Sequence, residues 1–446
     1  MPLQPQQTRG LSATWTKFRP APRTIRWTLS TLIFVATILV YKPELRPGHH
    51  IAGSGFESLE LGTSIALRGS FADPFFPLPT GPSAHLAPGY PLIVALIVKL
   101  FGVGAYGDYA LQWLTTIVVG IQLALLPLLA DYVALGSLVG GVAAAAWLVA
   151  KFPLLPWEND FAGLVIVALA FPMYKALRAS LTLWEIICTG ILWGVLLLLT
   201  PTPLPILFVW LLLIAATRAL SMRSAIVLAI LPLVVIAPWL IRNYRVFHHP
   251  VFLRDNLGLE LAISNNSCTE FSAALNRIVG GCFSQNHPNE SLKEAERVAK
   301  LGEPAYNKMR LQEAERWIMQ NRGRFLKLTA ERFVAFWLPN ASGNPFSPPP
   351  LYRWEWITDV FTLLSVPGLF LIWRRERCFA WVLVTWLMFF PLIYYLLQAS
   401  LRYRRPILWA TLLPGAYGLA AVMGLLSNSA RPAQQASTSP QRRLKG

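Results

Sequence analysis

The chain of 446 residues is 54% hydrophobic and only 14% charged, with a mean hydropathy of +0.47. Because a soluble domain carries about a quarter charged residues, this composition excludes an ordinary soluble protein and predicts an all-α polytopic membrane protein. The formal charge of +17 does not indicate nucleic-acid binding, since the basic residues lie in short clusters between apolar segments, as topology determinants do. We therefore expect membrane lipids, and no nucleic acid, among its partners.

A basic tail precedes the first apolar segment. Residues 1–26 contain arginine and lysine but no acidic residue, and the apolar run WTLSTLIFVATILVY follows at 27–41. No small-residue cleavage site follows this run, so we expect a retained anchor rather than a signal peptide. The positive charge places the tail in the cytoplasm and the next segment, residues 42–107, on the periplasmic or extracellular side of an inner (plasma) membrane. We call residues 42–107 the first loop.

The first loop contains two helical patterns. Residues 56–68 predict a short helix whose spacing puts Glu57 and Glu60 on one face. Residues 89–103 are apolar but too short to cross the hydrocarbon, so they predict an interfacial or re-entrant helix. Titratable side chains are unusually dense in this loop for so apolar a protein, which marks it as a place for chemistry.

The rest of the chain predicts nine further membrane spans, which makes about ten in all with the first apolar run. Alternation along these spans puts most basic loop clusters in the cytoplasm, as the positive-inside rule requires. No internal repeat is visible, which argues against transporters built from two related halves. The predicted spans lie at about 108–131, 136–152, 160–177, 183–200, 203–217, 224–241, 356–373, 379–398 and 407–426.

A long polar segment, residues 242–355, interrupts these spans and is predicted to be external. We call it the large loop. Within it, the motif SLKE at 291–294 predicts a capping box at the start of a helix. The dipeptide EP at 303–304 predicts the start of another helix, which runs to about 320. The Phe- and Trp-rich stretch 324–338 predicts a helix along the membrane surface.

Six short motifs carry a resemblance to a known family. They are GFE at 55–57, IALRG at 65–69, TGPSAHLAPGYP at 80–91, LFG at 100–102, PWLIRNY at 238–244 and RYRRP at 402–406. In these motifs and in the order of its parts, the chain resembles the C-type (GT-C) glycosyltransferase superfamily, multispanning enzymes with a catalytic carboxylate in the first external loop. It looks most like bacterial members related to protein O-mannosyltransferases and the aminoarabinose transferase of lipid A. Many members have Asp, or an Asp-Glu pair, where this chain has Glu57 and Ser58.

The resemblance implies an enzyme that moves a hexosyl or pentosyl group from a polyprenyl-phosphate donor to a lipid, glycan or protein acceptor on the external face, with inversion at the anomeric carbon. The alternatives are a lipid-linked oligosaccharide transferase or ligase, and a transporter or flippase of lipid-linked sugars. Charges that cluster on loops rather than within spans favour an enzyme. The apolar segments and the charge pattern divide the chain into five predicted parts. These are a cytoplasmic basic tail at 1–26, a transmembrane catalytic module at 27–241, an external helical loop at 242–355, C-terminal transmembrane helices at 356–426 and a disordered cytoplasmic tail at 427–446.

Glu57 is the candidate general base that this resemblance implies. An acceptor hydroxyl must lose a proton as it attacks the anomeric carbon, and a carboxylate is a suitable base. The alternative is an acid on the surface of a helix. Glu60, one turn away, either raises the pKa of Glu57, assists a divalent metal or is simply solvated. No paired ligand spacing defines a metal site, so the cofactor is left open.

Three arginines, Arg402, Arg404 and Arg405, lie on the predicted external side, against the positive-inside bias. Guanidinium groups bind phosphate oxygens bidentately, which makes these side chains candidate ligands of the donor phosphate. The alternatives are a miscounted span or contact with ordinary lipid headgroups. Arg242, which ends the span before the large loop, is a weaker candidate of the same kind.

Four other residues complete the set of candidate substrate-binding side chains. Glu158, in the turn WEND at 157–160, is a possible second acid, and the alternative for this turn is a helix cap by Asp160. His85 either orients substrate, ligates a metal or has a structural role. Tyr90 is expected to shape the loop, and Arg68 belongs to the motif-bearing segment beside it.

The four cysteines make no metal motif. Cys268 and Cys282 share the large loop, where an oxidising external compartment allows a disulfide and two adjacent glycines let the chain turn back. We therefore expect a disulfide between them, and the alternative is two free thiols. Cys188 and Cys378 lie alone beside or within apolar segments.

Overall fold

The computed structural model describes residues 22–339 and 356–424. The residues within these ranges that it does not describe are Ser54, Pro77, Pro153, Leu155, Arg218, Val279 and Gly280. Most of the basic tail at 1–26 lies outside the described residues, as does the predicted disordered tail at 427–446. The described chain is helical apart from loops, turns and two isolated β-bridges.

Helices occupy most of the chain up to residue 247. They are α1 (Arg23–Val40), α2 (Glu57–Arg68), α3 (Gly89–Phe101), α4 (Ala105–Tyr132), α5 (Ser137–Ala150), α6 (Glu158–Arg178), α7 (Leu183–Leu199), α8 (Leu204–Thr217) and α9 (Met222–Phe247). The large loop then contains α10 (Leu257–Ser264), α11 (Ala273–Ile278), α12 (Cys282–Asn286), α13 (Leu292–Leu301), α14 (Glu303–Gln320) and α15 (Arg322–Trp337). The last helices are α16 (Trp356–Arg375), α17 (Arg377–Phe389) and α18 (Trp409–Val422). Helices α1, α4 to α9 and α16 to α18 coincide with the predicted spans, and α3 coincides with the predicted interfacial helix.

Several helices have the length and composition of membrane spans. Within the described ranges, six are long and apolar enough to cross a membrane, namely α1, α4, α6, α9, α16 and the segment Arg377–Tyr395, and five shorter apolar helices accompany them. Helix α9 buries only 22% of its most apolar window and exposes Ile226, Leu233 and Val234. Because exposure of so many apolar side chains to water is unfavourable, this surface is suited to contact with lipid. The predicted all-α polytopic membrane fold is confirmed.

Two helix ends differ from the sequence prediction. Helix α9 continues past the predicted end at 241 to Phe247 and stops where His248 adopts a left-handed conformation, with φ of 57°. The buried Asn243 amide donates to the carbonyl oxygens of residues 251 and 252, so the following chain is tied back onto the last helical turns. Helix α17 ends at Phe389, before Pro391 opens a short 3₁₀ turn, because proline lacks the N–H that would continue the α-helix.

The C-terminal helices α16 and α18 pack with their backbones in close approach. A Cβ atom at Gly368 would collide with the carbonyl oxygen of Pro414, and one at Gly415 would lie 2.5 Å from the carbonyl oxygen of Phe361. Small residues at both places let the two helices touch, as in other membrane bundles. This contact fixes α16 and α18 against each other, and the segment carrying Arg402 to Arg405 lies just before α18 in the chain.

The large loop has a hydrophobic core of its own. Phe75 of the first loop packs there among Leu259, Ile263, Phe283 and other large-loop side chains, so the two loops share one core. Helix α13 begins as predicted, with the Ser291 hydroxyl accepting from the backbone N–H of residue 294. The Glu294 carboxylate does not complete the predicted capping box, however, because it instead binds the Tyr306 hydroxyl and a neighbouring guanidinium.

Candidate active site

Arg242 ties the first loop to the end of α9. Its guanidinium donates to the carbonyl oxygen of Ser83 at 2.7 Å and to that of Phe71 at 2.8 Å. The same group lies over the Trp239 ring, with 4.9 Å between Cζ and the ring centroid. These contacts place Arg242 as a support for the first loop rather than as a cation open to substrate.

Glu303, the first residue of α14, joins the two loops from the other side. Its carboxyl group contacts the Ser83 hydroxyl at 2.5 Å and accepts from the Ala84 backbone N–H at 2.6 Å. Burial raises the pKa of Glu303 to about 8, although both hydrogen bonds oppose the rise. The Ala84 carbonyl oxygen in turn accepts from the backbone N–H of Asp255 at 2.8 Å. The first loop is therefore held firmly against the large loop.

Residues 396–408, which we call the arginine loop, dock on the large loop as well. The fully buried Arg332 of α15 donates to the carbonyl oxygen of Leu396 at 2.9 Å and to the Asn265 side chain at 3.1 Å. Ala399 forms an isolated parallel bridge with Ser272. Three segments that are distant in sequence thus converge near the start of α2.

Glu57, the first residue of α2, lies at this junction. Its Oε1 accepts from the Asn289 Nδ2 at 2.6 Å and lies 3.5 Å from the His287 Nε2. The Glu57 side chain remains 24% exposed, so a substrate can reach it. The preceding Phe56 ring contacts the Trp157 ring edge-on, with centroids 5.3 Å apart, which connects the start of α2 to the turn before α6.

The pKa of the Glu57 carboxyl group is shifted towards neutral pH. Burial among protein atoms raises the pKa of Glu57 to about 7, because it disfavours the charged form. Its own backbone N–H and the charge of Arg402 limit this rise, whereas Glu260 and Glu158 add to it. A carboxylate with a pKa near 7 is well matched to general-base catalysis at physiological pH.

Arg402 is the arginine that lies near Glu57. Its Cζ stands 3.7 Å from the centroid of the Trp157 ring, and its Nη2 lies 3.4 Å from the Tyr403 hydroxyl. Arg254, ahead of α10, lies near Glu260, and its Nε donates to the His85 carbonyl oxygen at 3.4 Å. Among the residues that the structure describes, neither guanidinium has a carboxylate oxygen within 4.0 Å. Both cations therefore keep capacity for an anionic ligand.

Arg404 and Arg405 point into the protein instead. The buried Arg404 donates to the Trp337 carbonyl oxygen at 2.7 Å and to the Thr411 hydroxyl at 3.0 Å, with Thr362 as a further partner. Arg405 pairs with Asp160 of α6. The predicted phosphate contacts of Arg404 and Arg405 thus do not fit this geometry, because their guanidinium groups bind protein acceptors. The alternative of a helix cap by Asp160 is wrong, because α6 begins at Glu158 and the Asp160 side chain contacts Arg405.

A narrow crevice, which has no room for a water molecule in this structure, lies beside α2 between α3, α6 and α7. Its polar lining consists of Ser58, Tyr90, Glu158 and Arg254, and its apolar lining includes Leu199. The Tyr90 hydroxyl is buried and has no hydrogen-bond partner among the described residues. Two of the predicted substrate-binding side chains, Tyr90 and Glu158, therefore line one crevice together with an arginine.

Three other predicted residues do not line this crevice with their side chains. Glu60 turns back to its own loop, where its Oε1 accepts from the Gly55 backbone N–H at 3.3 Å. Arg68 forms an ion pair with Asp73 at 2.7 Å on the surface. His85 is buried with its ring centroid 5.0 Å from that of Phe75, and burial lowers its pKa well below the usual value, which favours a neutral structural imidazole.

Sequence reasoning missed Asn289 and His287, which lie against Glu57, and Arg254, which lines the crevice. All three belong to the large loop, in polar stretches that have no helical or strand periodicity and no family motif. A hydrogen bond across 232 positions of sequence leaves no local signal in either partner. The basic residue just before α10 was the one local hint, since a cation in a loop next to the membrane suits an anionic headgroup.

Two further predictions concern metal ions and cysteines. Within the described ranges, no group of three or more His, Cys, Asp or Glu side chains is placed to hold a metal ion. The side chains around Glu57 thus do not form a set of metal ligands. In the structure Cys268 and Cys282 form a disulfide, with Cα atoms 5.6 Å apart, whereas Cys188 and Cys378 are free.

Solved structures of similar shape include two membrane proteins. No protein-family model and no curated protein matches the chain. The archaeal oligosaccharyltransferase AglB from Archaeoglobus fulgidus, in complex with an inhibitory peptide and a dolichol-phosphate, is 12% identical with a TM-score of 0.47, and the match covers 90% of this chain and 50% of AglB. ArnT from Cupriavidus metallidurans in the apo state is 11% identical with a TM-score of 0.31, covering 90% and 78%. The chain spans about half the length of AglB, and at TM-scores below 0.5 neither likeness carries an argument about activity.

Proposed function

We propose that this protein is a membrane glycosyltransferase that moves a sugar from a polyprenyl-phosphate donor to a lipid, glycan or protein acceptor. The observation that supports it is a carboxyl group whose pKa is raised to about 7, Glu57, near the guanidinium group of Arg402, which has no carboxylate oxygen within 4.0 Å among the described residues. A second cation, Arg254, lines the crevice between α3, α6 and α7 together with Ser58, the residue after Glu57. The basic N-terminal tail supports an external location for this site.

In this proposal Glu57 acts as the general base. The acceptor hydroxyl gives its proton to the Glu57 carboxylate as its oxygen attacks the anomeric carbon. The bond from that carbon to the phosphate oxygen breaks, and its electron pair stays on that oxygen. The leaving group is polyprenyl phosphate. Attack from the face opposite the leaving group inverts the anomeric carbon.

The arginines stabilise the charge that the leaving phosphate gains. A guanidinium donates two parallel N–H groups to phosphate oxygens, and this contact strengthens as negative charge develops. Arg402 is held by the Trp157 ring below it, so it is pre-oriented towards the space next to Glu57. Tyr90 and Glu158 line the crevice with a hydroxyl and a carboxylate, groups that commonly bind sugar hydroxyls, and the crevice has to widen before a sugar can reach them.

The test is mass spectrometry of glycolipids, glycans and glycoproteins from cells with and without the gene. We expect one glycan class to lose a sugar without the gene and to regain it with the wild-type protein but not with Glu57→Gln. Arg402→Lys should weaken donor use, because lysine lacks the bidentate fork. An identical set of glycans in both strains, or full restoration by Glu57→Gln, would overturn the proposal.

A further inference from the structure

Two polar side chains of the large loop, far along the chain from Glu57, lie within 3.5 Å of its Oε1. We propose that His287 and Asn289 are positioning residues for Glu57, so that the large loop completes the catalytic geometry of the first loop. This inference rests on the proposed role of Glu57 as the base.

The orientation of the Asn289 amide follows from its neighbours. Its Oδ1 accepts from the backbone N–H of Phe76 at 3.3 Å, which leaves Nδ2 as the atom directed to the first loop. This Nδ2 donates to Glu57 Oε1 at 2.6 Å and to the Gly55 carbonyl oxygen at 3.1 Å. One amide thus holds the backbone just before α2 and the carboxylate at its first residue.

The tautomer of His287 follows in the same way. Its Nδ1 accepts from the Asn289 backbone N–H at 3.1 Å, so Nδ1 carries no proton. Burial, together with Arg277, Arg310 and Arg402, lowers the pKa of His287 to about 3, which keeps the ring neutral. A neutral imidazole without a proton on Nδ1 carries it on Nε2, the nitrogen 3.5 Å from Glu57 Oε1. The ring therefore places a neutral N–H group 3.5 Å from the carboxylate oxygen, and in this structure the two do not form a hydrogen bond.

His287 is held in a fixed place. Its side chain is only 3% exposed and stacks on the Phe283 ring, with centroids 4.4 Å apart and planes 11° from parallel. It directly follows α12, whose first residue, Cys282, is joined to Cys268 by the disulfide. A side chain on so constrained a segment can limit the positions open to the neighbouring carboxylate at little cost in entropy.

Other charged groups face Glu57 as well, and the test must separate them from these two donors. They are Arg402 of the arginine loop, Glu158 at the start of α6 and Glu260 of α10. None of them changes in Asn289→Leu or in His287→Phe, which keeps the aromatic stack. Loss of the short charged hydrogen bond from Asn289 removes a contact that favours the carboxylate form, and this should raise the pKa of Glu57 by about one unit.

The experiment labels carboxyl groups in the full-length protein in detergent with a water-soluble diazo reagent, which esterifies the protonated form. The midpoint pH of Glu57 labelling is read by peptide mass spectrometry. We expect the midpoint to rise by about one pH unit in Asn289→Leu and by less in His287→Phe. His287→Gln, which keeps a donor nitrogen, should stay closer to the wild type. Matched controls are Ser284→Ala on α12 and His249→Phe beyond α9, neither of which contacts Glu57.

Unchanged midpoints in folded Asn289→Leu and His287→Phe would overturn the inference. The two substitutions act on separate contacts, so misfolding of one variant leaves the other as the test. Labelling does not depend on activity. If the wild-type protein transfers no sugar but the variants shift the midpoint, the result supports the positioning role and refutes the proposed function. If transfer is normal and the midpoints are unshifted, the result supports the proposed function and refutes the positioning role.

Discussion

Arg405 and Asp160 form a buried ion pair, with 3.1 Å between Nη1 and Oδ2 and side-chain exposures of 7% and 0%. The pair joins the arginine loop to the first turn of α6. It thereby fixes the position of the neighbouring Arg402 beside Trp157, and it removes Arg405 itself from the surface of the site. The arginine loop is thus divided into one side chain at the site and two that anchor it.

Removal of either partner of this pair should destabilise the protein. Arg405→Met leaves a buried carboxylate without its cation, which costs about 3–5 kcal/mol in comparable buried pairs. The double variant Asp160→Leu with Arg405→Met should recover much of that loss, since neither charge then remains. Thermal unfolding in detergent, followed by tryptophan fluorescence, measures both. A stable Arg405→Met protein with weakened donor binding would instead make Arg405 a ligand.

Glu57→Gln should abolish transfer while leaving the fold intact. The amide has nearly the shape of the acid but cannot accept the acceptor's proton, and loss of a general base costs roughly 10²–10⁴-fold in rate. Turnover of the purified variant with a polyprenyl-phosphate sugar is the measurement. Glu296→Gln, an exposed acid on α13, is the matched control. Near-normal turnover in the Glu57 variant would refute its assignment as the base.

The rate should depend on pH through Glu57. Its pKa is raised to about 7, and the base is active only when deprotonated, so kcat/KM should rise with pH up to a plateau above 7. One unit below the pKa the rate should be about a tenth of the plateau. A profile of kcat/KM between pH 5 and 9 checks this. An acidic limb near the ordinary glutamate value of about 4.3 would show that a group in another environment limits the reaction.

The arginine loop should be accessible from outside the cell membrane. Leu401, which is 40% exposed, is a suitable position for a single cysteine, in a background where Cys188 and Cys378 are replaced by serine. An impermeant maleimide should label Leu401→Cys in intact cells and label Met222→Cys, on the opposite predicted side, only after lysis. Labelling of Leu401→Cys from the cytoplasmic side alone would overturn both the predicted topology and the external site.

The disulfide should contribute mainly to stability. A bridge that closes a loop of this length stabilises by about 3 kcal/mol. Replacement of Cys268 and Cys282 by serine should therefore lower the unfolding temperature more than the activity of the folded fraction, since α12 is also held by packing of Phe283. Non-reducing peptide mapping of protein from its native envelope tests the bridge directly. Recovery of both cysteines alkylated without prior reduction would contradict it.

Much of the helical framework follows from local sequence. The start of α14 at Glu303 and its end at Gln320 coincide with the prediction, because Pro304 suits the first turn of a helix. The apolar runs also predict the spans, because the length and composition that a bilayer requires of a helix are local properties of the sequence. Glu57 could likewise be singled out as an acid in a motif-bearing first loop, although nothing local indicated its partners.

The assembly of the site was decided only by the tertiary structure. Arg402, Arg404 and Arg405 share one short motif, and the sequence cannot separate them. Folding buries two of them against protein acceptors and leaves Arg402 near Glu57. Asn289 reaches Glu57 across 232 positions of sequence because the large loop docks on the first loop. Such a contact depends on the packing of whole segments, so no periodicity, cap or turn signal in either segment encodes it.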